Sequence, residues 1–130
     1  MNEEQLKVLA AVIIKDERYL VCQRPKAKRH GECWEFPGGK LEGNESHLDA
    51  ATRELKEELD LTVTAVGNCL YSASDPGSPF VVDFYEVMVT GTPKLLEHTD
   101  LRWLKLEELS SINLAPTDAA FVKHLRPHER

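Results

Sequence analysis

Three glutamates in one segment of the chain have the spacing of a metal-binding cluster. Glu54, Glu57 and Glu58 stand at positions i, i+3 and i+4, which lie on one face of an α-helix. Carboxylates packed so closely repel one another, and a bound cation offsets the repulsion. Hard oxygen ligands select magnesium, manganese or calcium. Bound Mg²⁺ neutralises phosphate charge and lowers the pKa of a coordinated water, so the cluster predicts hydrolysis of a phosphate ester.

An acidic helix face is more often merely solvated, and the surrounding residues decide against that interpretation. Residues 36–40 form a tight loop whose two glycines permit backbone conformations that other residues avoid, so main-chain groups can approach a ligand there. A set of residues at fixed offsets from this loop would arise by chance in on the order of one chain in a hundred thousand. The set consists of Gly39, Glu45, Arg53, Glu54, Leu55, Glu57, Glu58 and Leu61.

At these positions the sequence resembles the signature of the Nudix hydrolase family. The signature is glycine, five residues, glutamate, seven residues, and then Arg-Glu-hydrophobic-x-Glu-Glu-x-Gly-hydrophobic, which matches Gly39 to Leu61. Asp60 stands where the family usually has glycine. Aspartate tolerates the left-handed conformation better than most residues, so we expect a small loss of stability and an intact site. The resemblance to MutT-like members implies attack of water on a phosphorus of a nucleoside diphosphate linked to a further group.

The resemblance also implies roles for the matching residues. Arg53 is a candidate catalytic residue that would act by orienting the carboxylates through ion pairs. Glu45 would tie the glycine loop to the helix, and Gly39 would have a structural role in that loop. The expected cofactor is Mg²⁺, for which Mn²⁺ can substitute. Its ligands within the loop and the helix would be the carbonyl of Gly38 and the carboxylates of Glu54, Glu57 and Glu58.

Three further candidates lie outside the carboxylate cluster. Glu97 precedes Trp103 by the spacing at which MutT-like enzymes place a metal-binding or general-base carboxylate in a loop, and a solvated loop glutamate is the alternative. Arg24 matches the position where those enzymes hold the substrate phosphates, a task that suits a permanently charged fork of donors. Lys40, in the glycine loop, is a candidate for another phosphate contact.

Asp118 is the main indication of which base is bound. Residues 114–118 resemble the start of the last helix in MutT-like enzymes, where a side chain reads the base, and in particular the branch of the family that hydrolyses CTP. An ionised aspartate only accepts hydrogen bonds, which favours an exocyclic amine such as that of cytosine, whereas asparagine would suit an oxidised guanine. The alternative is that Asp118 only stabilises the first turn of the helix through the macrodipole.

The elements that must position these residues alternate along the chain. Periodicity predicts strands over 6–14, 19–23, 62–71, 80–90 and 101–104, with a hairpin turn at 15–18. Ser46 and Asp49 have the spacing of a capping box, so the signature helix begins there. Further helices are predicted over 107–111 and from Pro116 to about Arg126. The sum is an α/β fold (α+β in some schemes) in which a mixed sheet is flanked by helices. The family resemblance likewise implies an α/β/α sandwich.

The apolar face of the signature helix is predicted to consist of Leu48, Ala51, Leu55 and Leu59.

Composition and charge limit the possible partners. The 130 residues, 42% hydrophobic and 29% charged, suit one soluble domain over 1–130. A net charge of −6 disfavours nucleic acid polymers as partners and suits a small nucleotide. No apolar run of about 18 residues and no signal peptide is present, so we expect a cytoplasmic protein without membrane contact. The oligomeric state is open between monomer and homodimer. Reduced thiols are expected for Cys22, Cys33 and Cys69.

Three functions are compatible with these patterns. The leading prediction is Mg²⁺-dependent hydrolysis of a nucleoside triphosphate, of the cytidine or 8-oxo-guanine type, to the monophosphate and pyrophosphate. A second is hydrolysis of ADP-ribose or another nucleoside diphosphate derivative, indicated by Pro76 but disfavoured by the short chain. A non-catalytic nucleotide-binding module is the third, disfavoured because all signature carboxylates are present. No HExxH motif or paired metal spacing is present, so no catalytic role is assigned to His30, His47, His98, His124 and His128.

Overall fold

The computed structural model describes residues 6–126, so both ends of the predicted 1–130 domain, with His128, lie outside the described residues. Within this range the chain forms eight strands and three helices. In chain order they are β1 (Leu6–Val12), β2 (Ile14–Lys15), β3 (Arg18–Gln23), β4 (Trp34–Glu35), β5 (Gly38–Lys40), α1 (His47–Leu59), β6 (Thr62–Ser74), β7 (Phe80–Thr90), β8 (Asp100–Leu104), α2 (Leu106–Leu109) and α3 (Pro116–Leu125).

The strands form two sheets. The first has the order β5-β1-β7-β6 and is mixed, since β1 and β7 run parallel whereas the β1–β5 and β6–β7 pairs are antiparallel. In the second sheet β3 pairs antiparallel with β2, β4 and β8. The predicted α/β fold with a mixed sheet is therefore confirmed, and the second sheet is an addition that the sequence patterns did not indicate.

The strand predicted over residues 6–14 is two strands in different sheets. β1 pairs within the mixed sheet, whereas β2 pairs with β3 across a tight turn at Asp16 and Glu17, whose φ angles are 51° and 63°. Between them Ile13 is buried, and Ile14 is exposed. The prediction of one strand was wrong because a continuous aliphatic run suits either sheet and carries no mark of the change of partner. The other predicted strands and helices are present, with bounds shifted by three residues or fewer.

Two hydrophobic cores lie on opposite faces of the mixed sheet. Alternate residues of β1 contribute to each, with Leu9 and Ala11 in the core beneath α1 and Ala10 and Val12 in the core beneath α3. The aromatic side chains of Trp34 and Phe84 are buried in the second core. The layers are those of the predicted α/β/α sandwich.

Helix α1 begins and ends as its sequence predicts. The Ser46 hydroxyl accepts a hydrogen bond from the Asp49 amide (3.1 Å), and the capping box is complete. Asp60 ends the helix in the left-handed conformation with φ 56° and ψ 35°. Of the four residues of the predicted apolar face, Leu48 is 48% exposed and lies outside the core. The helical period of the apolar residues was predicted correctly. Leu48, however, lies in the first turn of α1, and the core cluster includes residues of this helix only from Ala51 onward.

Two other sequence predictions concern thiols and membranes. All three cysteines are free, as predicted, and lie at Cys22, Cys33 and Cys69. Across residues 6–126, no helix has the length and apolarity needed to span a bilayer.

Candidate functional site

Two adjoining cavities bring most of the predicted site residues together. The smaller, here called the carboxylate cavity, has a volume of about 170 Å³ and is lined by Glu35, Glu54, Glu58 and Glu97 among others. The larger, here called the Asp118 cavity, has a volume of about 310 Å³. The two cavities share three lining residues, which are Arg24, Glu35 and Gly38.

The carboxylate cavity is built around two glutamates one turn apart on α1. Glu58 is only 3% exposed, so its surroundings favour the protonated carboxyl group when no cation is bound. Burial raises the pKa of Glu58, and the hydrogen bond to Glu54 and the charges of Glu54, Glu35 and Glu97 raise it further. Its Oε1 atom is buried without a hydrogen-bond partner among the described residues. A divalent cation in the cavity would offset this cost, because it supplies a positive charge to the Glu58 oxygen that no donor of the described residues contacts.

The other two predicted carboxylate ligands are placed differently. Glu97 lines the carboxylate cavity from the loop between β7 and β8. Glu57 does not line it: its side chain is 54% exposed, and a carboxylate oxygen lies 3.8 Å from Nη1 of Arg53. In the described part of the chain, no three histidine, cysteine, aspartate or glutamate side chains stand close enough together to hold a metal ion. The fit to a hard cation therefore rests on the oxygen donors and the unpartnered Glu58 oxygen.

Arg53 connects the helix, the glycine loop and the cavity. Its Nε and Nη2 atoms each donate to a carboxylate oxygen of Glu45 at 2.8 Å, and Nη2 also donates to the carbonyl of Lys40 at 3.0 Å. Nη1 donates to Glu54 at 2.6 Å. The hydrogen bonds from Arg53 and from the amide of Glu42 lower the pKa of Glu45 to about 2. These are the contacts that the predicted positioning roles of Arg53 and Glu45 require.

Both glycines of the loop lie too close to their neighbours to carry a side chain. A Cβ atom on Gly38, whose φ is 151°, would overlap the carbonyl oxygen of Leu9. On Gly39 it would stand 2.6 Å from Oε1 of Glu54. The sequence predicted a loop here, and the structure shows that residues Gly38–Lys40 form β5 and pair with β1. This close approach brings the backbone of β5 against the carboxylate of Glu54.

The predicted phosphate-binding residues lie on different sides of the junction between the cavities. Arg24 follows β3 and lines both cavities, with Nη1 donating to Oε1 of Glu35 at 2.9 Å. Lys40 lines the Asp118 cavity, and its Nζ lies 4.7 Å from the ring centroid of Phe80. Arg24 is thus the predicted phosphate ligand that the structure places beside the carboxylates.

Of two further residues at this junction, Glu35 was not singled out from the sequence and His98 was assigned no catalytic role. Glu35 lines both cavities, and its Oε2 lies 2.9 Å from Nε2 of His98, which is 6% exposed. The available signals were positional: Glu35 stands just before the glycine loop, and His98 follows Glu97. Their mutual contact spans 63 residues of the chain, which no local pattern reports.

Asp118 lies in the first turn of α3, and its side chain reaches another element. Oδ2 accepts a hydrogen bond from the amide of Phe36 at 2.9 Å, and the hydroxyl of Thr117 is 3.3 Å from Oδ1. The carboxyl group is buried, and burial together with the charge of Glu35 raises the pKa of Asp118 to about 8. At neutral pH it is therefore mostly protonated and can donate as well as accept, whereas the sequence prediction assumed an ionised group.

The chain is similar to a known domain family, to named proteins of bacteria and to a solved structure. The NUDIX domain model matches residues 5–125. The CTP pyrophosphohydrolase of Escherichia coli (strain K12) is 36% identical over 118 residues, covering 88% of this chain and 87% of that protein. An 8-oxo-dGTP diphosphatase of Proteus vulgaris is 45% identical over 65 residues, covering 49% of this chain and 58% of that protein. The MutT NUDIX hydrolase from Burkholderia pseudomallei has a TM-score of 0.80 and 26% identity, covering 93% of this chain and 98% of that chain.

Proposed function

The chain belongs to the Nudix family and is a hydrolase, and we propose that it converts a nucleoside triphosphate into the monophosphate and pyrophosphate with Mg²⁺. The observation that carries the proposal is the buried, unpartnered Oε1 of Glu58, next to the shared wall of the two cavities. A polyphosphate held at that wall by Arg24 would lie between the carboxylates and the cavity of Asp118. One end of the site suits a cation and phosphate, and the other suits a base.

The proposed cation ligands are Glu54, Glu58 and Glu97 of the carboxylate cavity, together with the carbonyl of Gly38 and, by family resemblance, Glu57. Bound Mg²⁺, or Mn²⁺ in its place, would neutralise phosphate charge and lower the pKa of a coordinated water. Arg53 donates to Glu54 and so fixes one carboxylate, while Glu45 holds Arg53 in place. Glu97, on a loop at the cavity rim, is the proposed general base or further cation ligand.

The base would occupy the Asp118 cavity. In its neutral form Asp118 carries an acceptor and a donor, as asparagine does, and in its ionised form only acceptors. The neutral form suits an oxidised guanine, and the ionised form favours the exocyclic amine of cytosine. We therefore propose both a cytidine and an 8-oxo-guanine triphosphate as substrates. The relatives named above for CTP and 8-oxo-dGTP support this pair. Cytoplasmic location and oligomeric state stay predictions.

A substrate panel with Mg²⁺ tests the proposed reaction. It contains CTP, dCTP, 5-methyl-dCTP, 8-oxo-dGTP, dGTP and ADP-ribose, with nucleotide products and released pyrophosphate both quantified. We expect monophosphate and pyrophosphate in equal amounts from the cytidine or 8-oxo-guanine triphosphates. Cleavage of ADP-ribose alone would favour the second enzyme reading, which Pro76 indicates. Binding of nucleotides without turnover would instead favour a non-catalytic module and contradict the proposal.

The protonation state of Asp118 predicts a pH-dependent substrate preference. The ratio of kcat/KM for CTP to that for 8-oxo-dGTP should rise as the pH passes through about 8, where Asp118 loses its proton. We expect a rise of roughly tenfold between pH 7 and 9, the value of one changed hydrogen-bond pair. The ratio is informative because both substrates use the same carboxylates and cation, whose own titrations cancel.

Asp118→Asn is the matched control for this preference. Asparagine keeps an acceptor for the Phe36 amide and does not titrate, so any pH dependence of the substrates themselves remains in the variant. The ratio for Asp118→Asn should follow only that remaining dependence and should favour 8-oxo-dGTP throughout. If the ratio of kcat/KM for CTP to that for 8-oxo-dGTP depends on pH in the same way in the wild type and in Asp118→Asn, then Asp118 does not recognise the base.

A further inference from the structure

We propose that His98 is a positioning residue that links the phosphate-binding arginine to the buried carboxylate of Glu58. The inference rests on the proposed function, because it concerns the same cation-dependent hydrolysis. The sequence assigned no role to His98, and in the structure its ring lies on the wall of the carboxylate cavity. His98 would act through Glu35, Arg24 and Glu58 and would not itself react with the substrate.

Two close polar contacts and one near approach carry the proposal. Nη1 of Arg24 donates to Oε1 of Glu35 at 2.9 Å. Oε2 of Glu35 lies 2.9 Å from Nε2 of His98, and Nδ1 of His98 lies 3.8 Å from Oε1 of Glu58. The His98 side chain is only 6% exposed. Burying a polar ring in a loop is costly unless its partners are fixed, so the contact with Glu35 is a specific one.

The partners of the ring assign its tautomer. Glu35 accepts from Arg24 through one oxygen, so its other oxygen is the acceptor for an Nε2–H group of His98. In a neutral imidazole this leaves Nδ1 as an acceptor facing Oε1 of Glu58, and both atoms are buried without a hydrogen-bond partner among residues 6–126. When Glu58 is ionised, as a cation ligand must be, both facing atoms are acceptors and repel each other. The ring therefore satisfies no part of Glu58 and keeps Oε1 available to a cation.

The backbone around His98 is fixed on both sides. The amides of Lys94 and Leu96 donate to the carbonyls of Leu59 (2.8 Å) and Glu58 (3.2 Å) at the end of α1, and the amide of Thr99 donates to Gln23 at 3.1 Å. The loop is thus tied to the helix that carries Glu58 and to the strand that precedes Arg24. Between these ties, His98 has a defined position in which its ring borders the Glu58 carboxylate and limits where that group can lie.

Substitutions of His98 separate the two ends of this linkage. His98→Ala removes both, His98→Gln places an amide near the position of Nε2 and can keep the contact with Glu35, and His98→Asn places its polar atoms near Nδ1. The matched control is His47→Gln, because His47 also contacts a carboxylate, with Nε2 3.3 Å from Oδ2 of Asp83, away from both cavities. Each variant is titrated with Mn²⁺ in the absence of nucleotide, and the free ion is followed by electron paramagnetic resonance.

We expect His98→Ala to weaken Mn²⁺ binding about tenfold or more, the usual effect of losing a residue that orients a ligand. Its kcat should fall by a similar factor while KM changes less, His98→Gln should recover part of both losses, and His47→Gln should match the wild type. Mn²⁺ affinity and kcat that stay at the wild-type level in His98→Ala would overturn the proposal, as would a lowered Tm with unchanged Mn²⁺ affinity. If His98→Ala does not fold, the same criteria apply to His98→Asn.

Failure of the proposed function can be told apart from failure of this inference. A wild-type protein that binds Mn²⁺ but cleaves no nucleoside triphosphate would contradict the proposed function. In that case the Mn²⁺ affinities of the His98 variants still support or overturn the positioning role, because they are measured without nucleotide. A wild-type protein that binds no Mn²⁺ would overturn both.

Discussion

Glu58→Gln should lose nearly all turnover and yet be more stable than the wild-type protein at alkaline pH when no metal is present. Loss of turnover follows because glutamine cannot supply the charge that a cation ligand contributes. Removing such an interaction costs several kcal/mol of transition-state stabilisation, and roughly a thousandfold in kcat. Glutamine has the shape of the protonated side chain that the buried site favours, so the fold should persist.

The gain in stability follows from the raised pKa of Glu58. In the metal-free folded state burial and Glu54 keep the proton on Glu58, whereas the unfolded chain releases it near the ordinary pKa. Above that ordinary pKa the folded state binds more protons than the unfolded state, so its free energy of unfolding falls as the pH rises. Glutamine removes this dependence. By pH 8 the variant should exceed the wild type by more than about 1 kcal/mol.

Urea unfolding in EDTA at pH 5, 7 and 9 measures this difference, and the neighbouring glutamate provides a matched control. Glu57→Gln is the same substitution one residue earlier, where the side chain is 54% exposed. It should weaken cation binding and turnover, by the family resemblance, without changing how stability depends on pH. If the free energy of unfolding depends on pH in the same way for the wild type and for Glu58→Gln, then Glu58 is not buried as the structure has it.

Local patterns were sufficient to predict the helix that carries these residues. The capping box at Ser46, the left-handed end at Asp60 and the spacing of the glutamates all depend on residues within one or two turns. The same holds for β7, predicted over the range that the structure gives it. Where a feature is decided by neighbours in sequence, the sequence predicted both its type and its bounds.

Features decided by distant contacts were missed or misjudged. The charge state of Asp118 depends on its burial beside Phe36, a contact that spans 82 residues and that no local pattern reports. Glu35 was not singled out and His98 was assigned no role for the same reason, since neither has a neighbour in sequence that indicates its partner. Glu57 shows the converse: its spacing matches that of Glu54 and Glu58, yet its side chain lies outside the carboxylate cavity. Spacing on a helix fixes a face, but the packing of the loops decides which members of that face are covered.

Gly39→Ala should disable the site through a single methyl group. A Cβ atom at this position would stand 2.5 Å from Oε2 and 2.6 Å from Oε1 of Glu54, closer than any real contact, so the carboxylate must move away. Glu54 is held by Arg53 and hydrogen-bonded to Glu58, so its displacement disturbs both partners. We expect cation affinity and kcat to fall about a hundredfold, the upper range for losing the support of a ligand.

The matched control for Gly39→Ala is Gly67→Ala. A Cβ atom on Gly67 would meet the side chain of Glu86 at 3.1 Å, a similar chemical neighbour in a strand outside both cavities. Glu86 can yield by a few tenths of an ångström, so activity and cation binding should stay at wild-type levels. Cation titration, kcat and Tm are measured for both variants. The expected defect of Gly39→Ala lies in the position of one carboxylate. The Tm of this variant should therefore change little, whereas its kcat should fall strongly. Wild-type cation affinity in Gly39→Ala would mean that the close packing of the glycine loop against Glu54 does not define the site.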